Sequence, residues 1–250
     1  MYGKTHIVIQ CIFWLLSIYI CNFSVIFECF NDSVIQFVLL FFCVYHQISA
    51  LRSFYNCISI NSAVSPISNK EKEKNCGLIT TECKKCGIIR PIRSHHCSIC
   101  NKCIDKLDHH CFLLNKCIGR KNYKFFFSYL FLSLINSIIA ITLGIYHLYL
   151  FKQKEMAKLK EMEYIEFNLG FIFNFPIETV LLLLICFPTC IGSSYLLSYH
   201  LFLIYKNQTT IERKYPKLYI EDKRKENITF CEKISRALEN DNWLNIYWLE

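Results

Sequence analysis

Charge is missing from four long stretches of this chain: residues 7–27, 33–51, 125–150 and 179–205 contain no Asp, Glu, Lys or Arg. At about 1.5 Å per residue, each stretch reaches across a hydrocarbon core about 30 Å thick, and a helix satisfies its own backbone hydrogen bonds there. The sequence therefore predicts an α-helical integral membrane protein with four transmembrane helices. The alternative for each stretch is a buried core helix. A small-residue cleavage site is also lacking after the first stretch, and the gap at 28–32 is short, so the first helix is expected to be retained rather than removed as a signal peptide. Hydrophobic residues make up 53% of the 250 positions, more than an ordinary soluble domain carries. In the fourth stretch Pro188 and Gly192 permit a kink or a close helix approach.

Acidic residues are in deficit, and the deficit is local. Residues 52–124 hold 14 Lys plus Arg against 5 Asp plus Glu, and residues 206–250 hold 9 Lys plus Arg. The turn at 28–32 has no basic residue, and 151–177 balances 4 basic with 4 acidic residues. Basic segments stay on the cytoplasmic side, so the 52–124 insert and both termini are expected in the cytosol. The excess fits a face beside anionic lipid, not a nucleic-acid partner. A nucleic-acid reader would need a recognition helix on a soluble domain, whereas this insert is pinned between spans. The expected divisions are helices 1 and 2 within 1–52, a cytosolic linker at 53–82, a donor-rich segment at 83–124, helices 3 and 4 within 125–205, and a tail at 206–250.

The insert is poor in aliphatic residues and cannot build a conventional core. What it has instead is metal donors: seven cysteines and four histidines lie within residues 83–117. On the reducing cytosolic side such a cluster points to metal binding and catalysis, not disulfides. Cys83-x2-Cys86 and Cys97-x2-Cys100-x2-Cys103 have zinc-knuckle spacing, because two intervening residues let both sulfurs reach one ion. Two tetrahedral zinc ions need eight donors, fewer than the eleven present. Spacing alone leaves open which four share an ion, although the adjacency of His96 and Cys97 suits ligation of different metals. Among the donors, Asp108, His109 and Cys111 could supply a carboxylate, a base and a nucleophile within four residues. A cysteine attacks as thiolate, and a histidine oriented by a carboxylate can take its proton. The alternative is that Asp108 and His109 finish a zinc finger and Cys111 is a spare ligand. A ubiquitin-ligase RING is disfavoured because its single-residue Cys-x-His step is missing.

The run Cys83-x2-Cys86-x3-Arg90-Pro91-x-Arg93-x-His95-His96-Cys97-x2-Cys100-x2-Cys103, continued by Asp108-His109-His110-Cys111-x3-Asn115-x-Cys117-x-Gly119-x2-Asn122-x3-Phe126, resembles the cysteine-rich domain of the DHHC protein S-acyltransferases. The family's arrangement, four spans with this domain between the second and third, matches the hydropathy. The resemblance implies one zinc ion on Cys83, Cys86, His96 and Cys103 and a second on Cys97, Cys100, His110 and Cys117. It implies Cys111 as the acyl-accepting nucleophile, His109 as its base and Asp108 as the residue orienting His109. His95 is left as a turn or neighbouring residue.

Thr209-Thr210-Ile211-Glu212, just after the fourth span, resembles the family's TTxE motif, although Thr209-x-x-Glu212 also has the spacing of a helix capping box. Asn115 and Asn242 are further supporting residues by the same resemblance. Ile228, Phe230, Ile234 and Leu238 have the spacing of an interfacial amphipathic helix. The chain departs from the pattern in three places. Phe112-Leu113 stands where the family usually has Pro-Trp, Lys116 replaces a common Asn, and the Asp-Pro-Gly motif after the second span is absent.

Transfer of a long-chain acyl group from palmitoyl-CoA or another acyl-CoA to Cys111, then to a cysteine of a membrane-associated protein substrate, is the implied activity. Arg90, Arg93, Arg120 and Lys121 are candidates for the CoA phosphates; anionic lipid headgroups are the alternative. Membrane lipid is an expected partner, nucleic acid is not, and the sequence names no accessory subunit. An endomembrane location, Golgi or ER, follows from the resemblance. The competing function is a non-catalytic membrane zinc adaptor or scaffold.

Overall fold

Among the described residues of the computed structural model, three helices are long and apolar enough to cross a membrane: Ser33–Ser59, Tyr123–Lys158 and Ile177–Tyr205. The structure describes residues 12, 14–64, 80–161, 175–216 and 229–238. A shorter apolar helix, α1 (Trp14–Cys29), precedes these and contains a π-helical stretch at Ile20–Val25. The start of the first expected span lies outside the described residues. After α1 come α2 (Ser33–Ser59), six short strands, α3 (Tyr123–Glu161), α4 (Ile177–Tyr205), α5 (Thr210–Lys214) and α6 (Phe230–Leu238).

The Asp32 carboxylate starts α2 by accepting the backbone N–H groups of Val34 at 2.8 Å and Ile35 at 3.2 Å, donors that have no partner inside a helix. Charge-free length underestimates two of the helices. α2 runs past Leu51 to Ser59, and α3 runs past Leu150 to Glu161. Nothing in either extension breaks the backbone ladder. Residues 151–161, rich in Lys, Glu, Met and Leu, are strong helix formers whether or not lipid surrounds them. Side chains such as Phe37, Phe41, Leu184 and Ile191 lie on the outside of these helices. An apolar side chain turned outward along a long helix is what a lipid solvent favours.

The chain divides into two compact units, one of residues 8–50 and 130–195, the other of residues 1–7, 51–129 and 196–250. In the first, Ile20, Cys21, Val25 and Ile26 of α1 pack with Cys43 of α2, Ala140 and Leu143 of α3, and Leu182 and Cys186 of α4. Polar links join the same helices: Asn22 Nδ2 donates to Gln47 Oε1 at 2.9 Å, and His147 bridges Thr179 Oγ1 at 2.6 Å and Glu28 Oε2 at 2.9 Å. Such contacts hold helices together where lipid removes the hydrophobic drive. A close approach of the kind that Gly192 would permit occurs at Gly144, where an added Cβ would meet Leu183 at 3.0 Å. At Gly192 it would meet open space.

The second unit is built on three antiparallel hairpins: β1 (Thr80–Cys83) with β2 (Ile88–Pro91), β3 (His95–Cys97) with β4 (Lys102–Ile104), and β5 (His109–Cys111) with β6 (Lys116–Ile118). They repeat one design. His96 lies opposite Cys103 in the second hairpin as His110 lies opposite Cys117 in the third. Gly87, Asn101 and Asn115 all take a left-handed backbone, with φ of 64°, 51° and 47°, just after the knuckle positions Cys86, Cys100 and Leu114. Glycine and asparagine are the residues that enter that region at least cost.

Asn122, fully buried, ties the unit together. Its Oδ1 accepts from Ser62 Oγ at 2.8 Å and from the Gly119 N–H at 2.9 Å, and its Nδ2 donates to the carbonyls of Cys57 at 3.1 Å and Cys117 at 3.0 Å. One side chain thus fastens the end of α2, the last strand and the start of α3, with its full donor capacity used. Gly119 is required beside it, since a Cβ there would lie 2.6 Å from the Asp105 carbonyl oxygen and from Ile104 Cγ2.

Candidate active site

The hairpin repeat brings the donors together as two interleaved sets. Cys83, Cys86, His96 and Cys103 form one group and Cys97, Cys100, His110 and Cys117 the other, with the ligand atoms of each within 4.8 Å of one another. In each, one hairpin supplies a Cys-x2-Cys turn and the next supplies a histidine and a cysteine facing each other across its strands. His96 Nδ1 stands 3.2 Å from Cys86 Sγ and 3.8 Å from Cys83 Sγ. His110 Nδ1 stands 3.4–3.8 Å from Cys100, Cys117 and Cys97. Donors on one tetrahedral zinc ion with bonds of 2.0–2.3 Å are separated by about 3.3–3.8 Å. Both sets fit zinc, and three thiols converging on one imidazole have little other reason to meet in so small a domain.

The third hairpin has a knuckle without a partner. Cys111 occupies the place that Cys97 holds one hairpin earlier, but Leu114 replaces the second cysteine, and α3 follows where a fourth hairpin would have supplied a histidine and a cysteine. Cys111 accordingly belongs to neither four-donor set. Its thiol is hydrogen-bonded to His109. Burial pushes this thiol up, but the His109 bond and the N–H groups of Leu114 and Leu113 outweigh it and bring it below its ordinary value. Burial likewise opposes charge on His109, yet the bonds to Asp108 and Cys111 raise it from 6.5 to about 9. Both shifts run toward the thiolate–imidazolium form of the pair.

Asp108 is buried and over-determined. Its Oδ2 accepts from His109 Nδ1 at 2.7 Å and from Thr210 Oγ1 at 2.8 Å, and its Oδ1 accepts the Thr210 N–H at 3.0 Å. Burial opposes its charge, but the His109 bond leads the effects that hold the carboxyl below the ordinary range. Because Nδ1 of His109 is given to Asp108, Nε2 is the nitrogen left for Cys111.

Both readings of residues 209–212 are physically present. The Thr209 hydroxyl and the Glu212 carboxylate form a capping box for α5, while Thr210 grips Asp108. Glu212 is fully buried and takes a two-pronged contact from Arg93, Nε to Oε1 and Nη2 to Oε2, each at 2.7 Å. Arg93 also donates to Asn207 through Oδ1 at 3.3 Å and the backbone carbonyl at 3.0 Å.

Of the four basic residues considered for phosphate, three therefore have protein partners. Arg93 holds Glu212, Arg120 pairs with Asp105 at 2.7 Å, and Arg90 donates to Thr81 Oγ1 at 3.3 Å and Cys103 Sγ at 3.7 Å. Lys121 is exposed. Asn115 supplies the left-handed turn position of the third hairpin. Phe112 and Leu113, at 72% and 58% exposed, form an apolar tip beside Cys111. Asn242 and Ile228 lie outside the described residues. The rest of the expected amphipathic helix is present as α6, where Leu238 is buried and Lys233 donates to the Tyr205 carbonyl at 3.0 Å.

Sequence reasoning passed over His200. It is buried on α4, bonded through Nδ1 to the Tyr123 hydroxyl at 3.1 Å, with its ring 6.0 Å from that of His109. Phe126 meets both imidazoles edge to face, 5.3 Å from His109 and 5.1 Å from His200. An ionisable side chain inside an otherwise apolar span was the available signal.

Comparison with known proteins agrees with this geometry. Residues 79–216 match the family model of the DHHC palmitoyltransferase. The chain is 37% identical over 134 residues to palmitoyltransferase ZDHHC20 of Mus musculus, covering 52% of this chain and 34% of that protein. It is 35% identical over 144 residues to probable protein S-acyltransferase 6 of Arabidopsis thaliana, covering 57% and 33%. To palmitoyltransferase ZDHHC9 of Bos taurus it is 36% identical over 130 residues, covering 52% and 32%. The matched region spans about a third of the length of these relatives. With more than half of its length under the family model, the chain belongs to the DHHC palmitoyltransferase family.

Proposed function

We propose that the protein is a protein-cysteine S-acyltransferase that carries a long-chain acyl group on Cys111. The observation that carries this reading is a thiol outside both metal-donor sets, bonded to an imidazole whose other nitrogen is fastened to a buried aspartate. The Cys111 thiolate adds to the thioester carbonyl of an acyl-CoA, the carbon–sulfur bond to CoA breaks, and the CoA sulfur takes the proton from His109 Nε2. A substrate cysteine then gives its proton to His109 and attacks the Cys111 thioester, and Cys111 leaves as thiolate. One thioester is exchanged for another at each step, so the protein's part is to deprotonate and position thiols. Zinc in the two four-donor sets supplies cross-links that hold the hairpins, on the order of 10 kcal/mol or more per site. Asp108 and Thr210 fix the His109 ring.

Four membrane crossings by α1 to α4, with the hairpins and both termini in the cytosol, follow from the charge asymmetry and the basic hairpin segment. The acyl chain is accommodated among the helices, and the exposed Phe112–Leu113 tip meets lipid. Golgi or ER membranes and membrane-associated proteins with cytosolic cysteines are the proposed setting and substrates. With Arg120 and Lys121 the exposed candidates, and Arg120 already paired with Asp105, CoA phosphate recognition rests on fewer of the four basic residues than the sequence offers.

Incubating purified protein with labelled palmitoyl-CoA tests the proposal. Wild type is expected to take up hydroxylamine-labile label and Cys111→Ser to take up none, at equal zinc content. Equal labelling of the two proteins would rule out Cys111 as the nucleophile.

A further inference from the structure

We infer that Asp108, His109 and His200 form a third zinc site, distinct from the two four-donor sets, whose loading holds the acid–base histidine out of use. The site stands on geometry: a carboxylate oxygen and two imidazole nitrogens, all buried or half-buried, lie within 4.8 Å of one another. Two imidazoles and one carboxylate are the donors of open zinc centres that keep a fourth position for water. They suit zinc over magnesium or calcium, which take oxygen shells and keep their waters.

The surroundings are arranged as for a ligand set. The Tyr123 hydroxyl sits at Nδ1 of His200, and the tautomer that donates from that nitrogen presents Nε2 as the lone pair that a metal takes. Thr210 anchors Asp108, N–H to Oδ1 at 3.0 Å and hydroxyl to Oδ2 at 2.8 Å, and the same Oδ2 is directed at His109. Phe126 walls both imidazoles. On loading, the ion replaces the proton between His109 Nδ1 and Asp108 Oδ2, and that proton leaves to solvent. Donors on one tetrahedral zinc ion stand about 3.3 Å apart, so the 2.7 Å contact opens slightly while His200 closes in. A metal on Nδ1 takes the nitrogen through which Asp108 orients the His109 ring, so the ring leaves its working position beside Cys111. This inhibitory consequence rests on the acyltransferase reading; the binding itself does not.

The test uses the full chain in detergent, tag removed, equilibrated with a small molar excess of zinc and gel-filtered before zinc and protein are counted by mass spectrometry. About three ions per chain are expected for wild type and about two for His200→Gln, whose amide keeps the Tyr123 bond but is a poor zinc ligand. His200→Phe, which fills the ring's space, is the second variant, and retention of two structural ions reports intact hairpins. About two ions in wild type overturn the inference without reference to any variant, and so does a third ion persisting in a variant that keeps its structural pair. Cobalt(II) added to zinc-loaded protein gives a second measure. Visible bands without sulfur charge transfer are expected, and charge transfer would put the ion on thiols and overturn the assignment. In the activity arm, micromolar zinc slows wild-type self-acylation and mild chelation restores it. Absence of self-acylation without added zinc would sink the proposed function and leave the ion counts standing.

Discussion

Removal of the Arg93 side chain separates the phosphate role that the sequence offered from the structural role that the contact with Glu212 gives it. Arg93 could meet a CoA phosphate, or it could serve the fold through Glu212. The carboxylate of Glu212 is fully buried and the Arg93 side chain is 18% exposed. An exposed ion pair contributes about 0–1 kcal/mol, whereas removing one partner of a buried pair costs about 3–5 kcal/mol because a charge is left uncompensated. The partial exposure of Arg93 places the expected loss for Arg93→Ala at the lower end, about 3 kcal/mol.

That loss reaches the active site along a short path. Glu212 also caps α5, and α5 presents Thr210, whose hydroxyl and N–H both bond to Asp108. Hydrogen bonds to charged groups are worth about 1.5–3 kcal/mol each, and 1.4 kcal/mol is a factor of ten in rate or equilibrium. Loosening α5 by even part of one such bond lowers self-acylation about tenfold at saturating acyl-CoA. Thermal unfolding in detergent and a kcat-against-KM separation for acyl-CoA are the assays. Arg93→Ala is expected to lower both the melting temperature and kcat, with Arg93→Ala/Glu212→Gln recovering part of the stability because no buried charge is stranded. A raised KM with unchanged melting temperature and kcat would refute the argument and return Arg93 to the phosphate role.

Three further outcomes are expected. The pH midpoint for alkylation of Cys111 lies below 9.0 in wild type, and His109→Gln moves it upward, since the imidazole that lowers it is gone while burial continues to raise it; an unmoved midpoint contradicts the pairing. Gly119→Ala forces a Cβ to 2.6 Å from the Asp105 carbonyl oxygen, backbone that cannot swing aside, and costs about 1–3 kcal/mol by thermal unfolding. Strong chelation strips the ions of both four-donor sets and makes the 80–118 hairpins protease-sensitive, because metal–ligand bonds stand in for a core there; protease resistance after full zinc loss contradicts the ligand sets.

The hairpin segment was the most legible part of the chain, because its chemistry is written in residue type and spacing. Cys-x2-Cys turns pair sulfurs by local geometry, so donor identity could be read without knowing the fold. The grouping into fours needed either the family resemblance or the structure. Ligands such as His96 and Cys103 are set opposite each other by strand pairing that spacing does not specify. The helices α2 and α3 were legible in existence but not in length. Hydropathy registers where lipid ends, while the hydrogen-bond ladder ends where a breaker or a lost contact ends it.

Arg93, His200 and Asn122 mark the other limit. Arg93 looked like a surface cation because its partner, Glu212, lies far along the chain. Asn122 sat in a motif without a role until its four hydrogen bonds converged from α2, β6 and the turn before α3. His200 was one polar residue in a long apolar run.

By itself the sequence determined which segments are apolar and free of charge and the kind of metal chemistry available, since these depend on composition and on neighbours a few residues away. Tertiary structure alone decided that α5 returns to grip Asp108, that Arg93 is committed to a buried carboxylate, and that a histidine from α4 stands beside His109. Those contacts join residues about a hundred positions apart or belong to different helices. Their energy comes from desolvating charge in a shared interior, a property no local pattern carries.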